Sequence, residues 1–401
     1  MAFALGRRRA WLLAVPLLLL ALAAAFTLGR SAPANAAPYL PKADEEVLET
    51  LPGNMANNWL RSSAAGASEA PLDATTAAAR ARVELTHYQE SADPRYLGRA
   101  EAALGNFWDQ PAPPEPVLVL RARIRQSNHE FLAALKDLDQ ALVVSPSDAQ
   151  ALLDRASIQT VLGRYPAALA DCQSLEGLTA PLYIAVCRAA VGGVTGSAQA
   201  AASDLSRALM APGATREDKC WGESLLGELS TRSGDSTAAE AHFRSVLTAS
   251  PNDSYAKGAL ADLLLDQQRN AEVVALLADQ IRQDALLLRL TLAERQLKSS
   301  NYEQHLADLT QRFEEAHLRG SSVHRREEAR FELALRDAPE RALTLALENL
   351  QVQREAADVR IALEAALAAG HPERAREVAS FARGSRLEDP HVGRLLARLP
   401  E

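Results

Sequence analysis

The feature that most constrains this chain is a recurrence with a period of 34 residues. Leu118, Ala122, His129, Phe131, Ala134 and Leu138 return 34 positions later as Leu152, Ala156, Gly163, Tyr165, Ala168 and Cys172. A third unit places Gly196, Ala201 and Leu205 at an offset of 33. After a four-residue insertion near Pro212–Lys219, a fourth unit shows Leu226-Gly227, Gly234, Ala239, Phe243 and Pro251. The fifth follows with Leu260-Ala261, Val273 and Leu277, and Pro339-Glu340-Arg341-Ala342 is repeated at Pro372-Glu373-Arg374-Ala375. A chain with such a period folds as a stack of like units, each burying its apolar face on the next.

Each unit reads as two amphipathic helices of three to four turns separated by short polar turns. Ala and Leu dominate and aromatics make up 5% of the chain. That mix favours helix, because Ala and Leu lose the least freedom there. Gly163 and Gly234 supply the permissive backbone that a tight helix-to-helix turn needs. Pro146 and Pro251 end the second helix of their units. Further helix pairs are predicted at Asp284–Lys298 with Tyr302–Arg319, Val323–Leu335 with Glu340–Gln353, and Ala356–Ala369 with Pro372–Arg383. A last helix, Pro390–Leu399, would cap the array. No segment alternates as a strand does, so the expected class is all-α: an α-solenoid of antiparallel helix pairs.

Leu162-Gly163-Arg164-Tyr165-Pro166-Ala167-Ala168, and the run from Leu226-Gly227 to Pro251, resemble the tetratricopeptide repeat (TPR): Leu-Gly, a Gly-x-aromatic turn, Ala, an aromatic, and a closing Pro. The resemblance covers 116–283 well and 74–115 and 284–400 loosely. It departs where Glu223 stands at a position usually large and apolar, and where His129 and Gln268 replace the turn glycine. The chain is also similar to exported bacterial repeat proteins of this length, which imply no particular activity. The family resemblance implies a concave wall of first helices that binds a protein or peptide segment. Transferred register puts Tyr183, Trp221 and Tyr255 on that wall at one position of three consecutive units, with Arg123, Gln126, Glu228, Arg232 and Asp262 nearby. A register shifted by two would make the three aromatics core residues instead. The Lys/Asn carboxylate clamp of chaperone-binding members is absent at matching positions.

The first 36 residues have the layout of an export signal. Arg7, Arg8 and Arg9 precede an apolar run from Ala10 to Leu28, and Ala34-Asn35-Ala36 offers a small-residue cleavage site. That run approaches membrane-spanning length, so a cleaved signal peptide and a retained inner-membrane anchor both remain open. Pro38, Pro41, Pro52 and Pro71 mark 37–73 as a flexible linker, leaving 74–401 for the repeats. The expected location is periplasmic or secreted. Beyond the leader the chain carries 39 basic against 51 acidic residues. Nucleic acid, which rewards basic patches, is therefore not an expected partner.

No catalytic, cofactor or metal motif stands out. The eight histidines are scattered without H-E-x-x-H spacing. G-x-S-x-G and phosphate-loop patterns are missing, and Gly192-Gly193-Val194-Thr195-Gly196 lies between helices rather than after a strand. Cys172 and Cys187 fall on helices expected to pack together. They are either a disulfide or two buried thiols, and Cys220 has no evident partner. The functional expectation is a non-enzymatic scaffold. A solenoid enzyme acting on cell-envelope material and a membrane-tethered assembly factor are its rivals.

Overall fold

The computed structural model describes residues 72–91, 93–319 and 324–399. The expected leader and all but the last two residues of the expected linker lie outside them. The described residues hold nineteen α-helices and no strand. They pair as nine successive hairpins plus a final helix. The pairs are α1 (Ala74–Ser91) with α2 (Arg95–Leu104), α3 (Glu115–Ser127) with α4 (Phe131–Val144), and α5 (Ala149–Val161) with α6 (Tyr165–Ser174). Next come α7 (Pro181–Gly192) with α8 (Ala198–Leu209), α9 (Arg216–Ser233) with α10 (Ser236–Ala249), and α11 (Ser254–Asp266) with α12 (Asn270–Leu277). The last are α13 (Asp284–Leu297) with α14 (Tyr302–Leu318), α15 (Arg325–Ala334) with α16 (Pro339–Asn349), and α17 (Ala356–Ala368) with α18 (Arg376–Ser385), then α19 (Pro390–Leu396). The array opens at Asp73, whose carboxylate accepts the Thr75 and Thr76 N–H groups, both at 3.0 Å, and so caps α1.

The recurring residues form the core. Leu118, Ala122, Phe131, Ala134 and Leu138 are buried, and so are their equivalents Leu152, Ala156, Tyr165, Ala168 and Cys172. In the fifth hairpin the Leu-Gly pair has a steric reason. A Cβ placed on Gly227 would lie 2.5 Å from the Phe243 ring, so only glycine lets α10 settle onto α9. Glu223, which departs from the repeat pattern, instead meets the His242 ring Nδ1 at 2.7 Å.

One residue with positive φ sits in the turn of every hairpin from the second onward: His129, Gly163, Gly196, Gly234, Gln268, Lys298, Asp337 and Gly370. In seven of these turns the next N–H then reaches the carbonyl five residues back, as in Glu130 to Arg125 (2.8 Å), Arg164 to Gln159 (2.8 Å) and Asp235 to Ser230 (2.9 Å); after Asp337 the Ala338 N–H reaches Glu332, six back. This is the closing bond of a Schellman turn. The geometry is therefore kept where glycine is not, at a cost of about 1–2 kcal/mol for an L side chain. Replacing the exposed Gln268 (φ 59°) by glycine should raise stability by about 0.5–1 kcal/mol, the relief of strain less the greater freedom of glycine in the unfolded chain. Urea midpoints of the two proteins measure this; a lower midpoint for Gln268→Gly would refute it.

First helices pack on the first helices of the next hairpin all along the array, while second helices do not pack on one another to that extent. The shorter path marks the inner side of the curve, so α3, α5, α7, α9, α11, α13, α15 and α17 line the inner wall. The curve also closes on itself. The Arg354 N–H donates to the Val161 carbonyl at 2.8 Å, and Phe381 stacks obliquely on Tyr165 with centroids 6.3 Å apart. Glu388 accepts the Ala198 N–H at 2.9 Å, capping α8 from the far end of the chain. Val352, Phe381 and Leu387 thereby join the core of the second, third and fourth hairpins.

The Cys172 and Cys187 pair is a disulfide with Cα atoms 5.6 Å apart, joining α6 to α7 across the third and fourth hairpins.

Candidate partner-binding surface

The inner wall is not open along its length. Asp262, expected to face a ligand, is engaged by its own chain: Arg289 of α13 donates to one carboxylate oxygen at 2.5 Å and Arg330 of α15 to the other at 2.6 Å. One turn on, Asp266 takes two bonds from Arg360 of α17, at 2.7 and 2.8 Å, and stands 3.1 Å from His391 of α19. Burial alone would raise the pKa of Asp262, but the two guanidinium groups outweigh it and hold the acid below its usual range. The same balance, with His391 and Arg360 as partners, depresses Asp266. The concave wall expected to bind a partner is thus occupied by the chain itself along the Asp262–Asp266 turn of α11. Curvature brings α15, α17 and α19 back across it, and arginine–carboxylate bonds seal the contact.

Arg123 and Gln126 of α3 face α5. Arg123 lies 3.9 Å from Asp154, and the Gln126 amide contacts the Ser157 hydroxyl at 3.5 Å. Burial pushes the Asp154 carboxyl up to about 6 despite Arg123. Near the start of α3, Glu115 is pushed up to about 7, first by sharing a hydrogen bond with the Asp148 carboxylate and then by burial.

The aromatic residues lie on α7, α9 and α11, in the middle of the wall. Tyr183 of α7 and Trp221 of α9 are tilted neighbours with ring centroids 6.2 Å apart, and the Tyr183 hydroxyl donates to Asp218 at 2.7 Å. That bond comes first, and backbone donation from Thr215 second, in lowering the pKa of Asp218. The Asp218 side chain also closes a capping box with Thr215, which fixes the first turn of α9. Tyr255 of α11 donates to Glu228, and Glu228 pairs with Arg232 at 3.0 Å. Trp221 is 45% exposed and Tyr255 56%, so neither is a core residue. Burial, and then the Glu228 charge, push the Tyr255 hydroxyl well above its usual pKa. Its polar end is thus enclosed while the ring stays open. Of the eight residues expected at the site, the structure joins Tyr183 with Trp221, and Tyr255 with Glu228 and Arg232. Arg123 and Gln126 stand apart from these.

Among the described residues no cluster of three or more His, Cys, Asp or Glu is placed to hold a metal ion. The free thiol of Cys220 lines a groove of about 640 Å³ between α8, α9 and α10, together with Arg216, Lys219, Glu223 and His242. Burial raises its pKa, and nearby Asp253, Glu223 and Glu217 add to the rise despite Arg216, so it is not an activated thiolate.

A period of 34 residues, one hairpin per period, a left-handed turn in each and first helices on the inner wall define the architecture. The fold is a tetratricopeptide-type solenoid. Among solved structures the chain is similar to the APC/C hetero-tetramer Cut9–Hcn1, at 11% identity over 77% of this chain and 60% of that one, with a TM-score of 0.44. It is similar to a tetratricopeptide repeat protein from Parabacteroides merdae ATCC 43184, at 16% identity over 71% and 97% of the two chains, with a TM-score of 0.33. With yeast Tom70 the identity is 11% over 81% and 88%, and the TM-score 0.28. No protein-family model matches the sequence, and comparison with curated proteins gives no match.

The ion pairs inside the stack were not among the residues expected to matter. Arg121 of α3 and Asp137 of α4 form a bidentate pair (2.9 and 2.7 Å) with side chains 4% and 2% exposed. One period later, Arg155 and Asp171 make the same pair at 3.0 and 2.6 Å. The signal was present, since both charges recur at the 34-residue offset. An arginine and an aspartate sixteen positions apart do not look like core residues without coordinates.

Proposed function

We propose that this chain is a non-catalytic scaffold outside the cytoplasm, holding a protein or peptide segment against the Tyr183–Trp221–Tyr255 strip. The observation that carries the reading is Trp221, a large apolar ring 45% exposed on an inner wall that the chain's own arginines close at Asp262 and Asp266. Exposed tryptophan and tyrosine bury much area at low entropic cost and are favoured as anchors. Two features support the location. The leader has the composition of an export signal, and the Cys172–Cys187 bridge suits an oxidising compartment. Whether Ala10–Leu28 is removed or retained as an anchor is read directly from the N-terminal sequence of the mature protein.

Trp221→Ala should lower partner capture from an envelope fraction at least tenfold, as expected for the loss of a hot-spot aromatic, with helicity unchanged. Undiminished capture, or crosslinks confined to the second helices, would remove the strip from consideration. The enzyme reading draws on one specific observation, the inner-wall acids Asp154 and Glu115, whose pKa values of about 6 and about 7 are in the range of a general acid. Turnover of envelope polysaccharide by the purified protein, lost in Asp154→Asn, would establish that reading over the scaffold.

A further inference from the structure

We infer that the occupant of the aromatic strip is a net-positive segment, seated by a Lys or Arg side chain over the Trp221 indole; this rests on the strip being the binding surface. Negative charge is placed around the exposed indole. Asp218 and the exposed Glu217 lie three and four residues before Trp221 on α9, one turn away on the same face. Glu228 lies seven residues, or two turns, further along that face, roughly 10 Å away by helix rise.

Both tyrosines turn their hydroxyls to these acids, Tyr183 to Asp218 and Tyr255 to Glu228. Each ring is thereby fixed beside a carboxylate, and Asp218 is further held ionised by the Thr215 donors. The basic residues of α9 do not offset this. Arg216 and Lys219 line the groove on the other side of the helix, and Arg232 is paired with Glu228. An indole flanked by acids attracts a cation both through its quadrupole and through the local field. An acidic segment would meet Glu217, Asp218 and Glu228, beside which Arg232 is already paired. The overall excess of acid beyond the leader, 51 residues against 39 basic, draws the same class of partner from a distance.

The experiment uses the full chain and fluorescein-labelled twelve-residue peptides in a Gly/Ser background, carrying Arg and Lys, Asp and Glu, or only Tyr and Leu, read by anisotropy. The cationic peptides should bind best, and more weakly as salt rises. Trp221→Leu, which keeps apolar area but removes the π-face, should weaken them about 3- to 30-fold, the range of a cation–π contact. Glu217→Gln, at an exposed position outside the packed core, should weaken them about 2- to 5-fold, as for a surface charge pair. Circular dichroism of both variants should match the parent. Equal binding of neutral or acidic peptides, still dependent on Trp221, would overturn the cationic seat while leaving the strip as the binding surface. Binding of cationic peptides unaffected by either substitution would overturn the seat. Absence of binding by any class would overturn both the seat and the strip.

Discussion

Arg121→Ala should cost about 3–5 kcal/mol of folding stability, the range for removing one partner of a buried ion pair. The guanidinium does two jobs. It forms a bidentate pair with Asp137 and donates to the Trp108 and Gln110 carbonyls at 2.5 and 2.8 Å, tying the 105–110 segment to α3. Alanine would leave a nearly inaccessible carboxylate with Arg125 as its remaining guanidinium partner, at 2.6 Å, together with carbonyls that lose their donor. Arg155→Ala removes the equivalent pair one period on, where the arginine side chain is 24% exposed, and should cost only about 1–2 kcal/mol because water can replace it. Urea unfolding of the two variants tests the contrast. Equal losses would show that burial does not set the strength of these pairs. Replacing Arg121 and Asp137 together by leucine should recover only part of the loss, since the carbonyls of Trp108 and Gln110 stay unpaired.

The second large effect is expected at the disulfide. Replacing both Cys172 and Cys187 by alanine should lower stability by about 3 kcal/mol, the chain-entropy value for a closed loop of this length, given their separation of 15 residues. Both residues are buried between α6 and α7, so reductant should act on the native protein only after local opening. The parent with reductant should then match the double variant without it in urea midpoint. A midpoint unmoved by either treatment would mean that packing alone fixes the third and fourth hairpins.

Much of the solenoid was legible in the sequence because each hairpin contacts mainly its neighbours. Leu118 and Leu152, or Ala134 and Ala168, carry the same packing duty one period apart, and that duty is visible as a recurring letter. Helix limits followed: Asp284–Lys298 was expected and Asp284–Leu297 found, and the turn at Gln268 keeps the conformation of the glycines it replaces. The segment Pro372–Arg383 differs in its first turn, where Pro372–Ala375 is a 3₁₀ helix before α18 begins. The placement of Tyr183, Trp221 and Tyr255 was open between core and surface. A shift of two residues in register reverses the reading, and only packed coordinates resolve it.

The sequence by itself determined the repeating unit: two helices, a left-handed turn and a buried apolar seam, all set by interactions within a few dozen residues. What only the tertiary structure decided is how far the array curves. A small rotation added at each hairpin accumulates until Arg360 meets Asp266, 94 positions earlier, and Glu388 meets Ala198, 190 positions earlier. No local pattern encodes that sum. The same accumulated rotation closes the wall at Asp262.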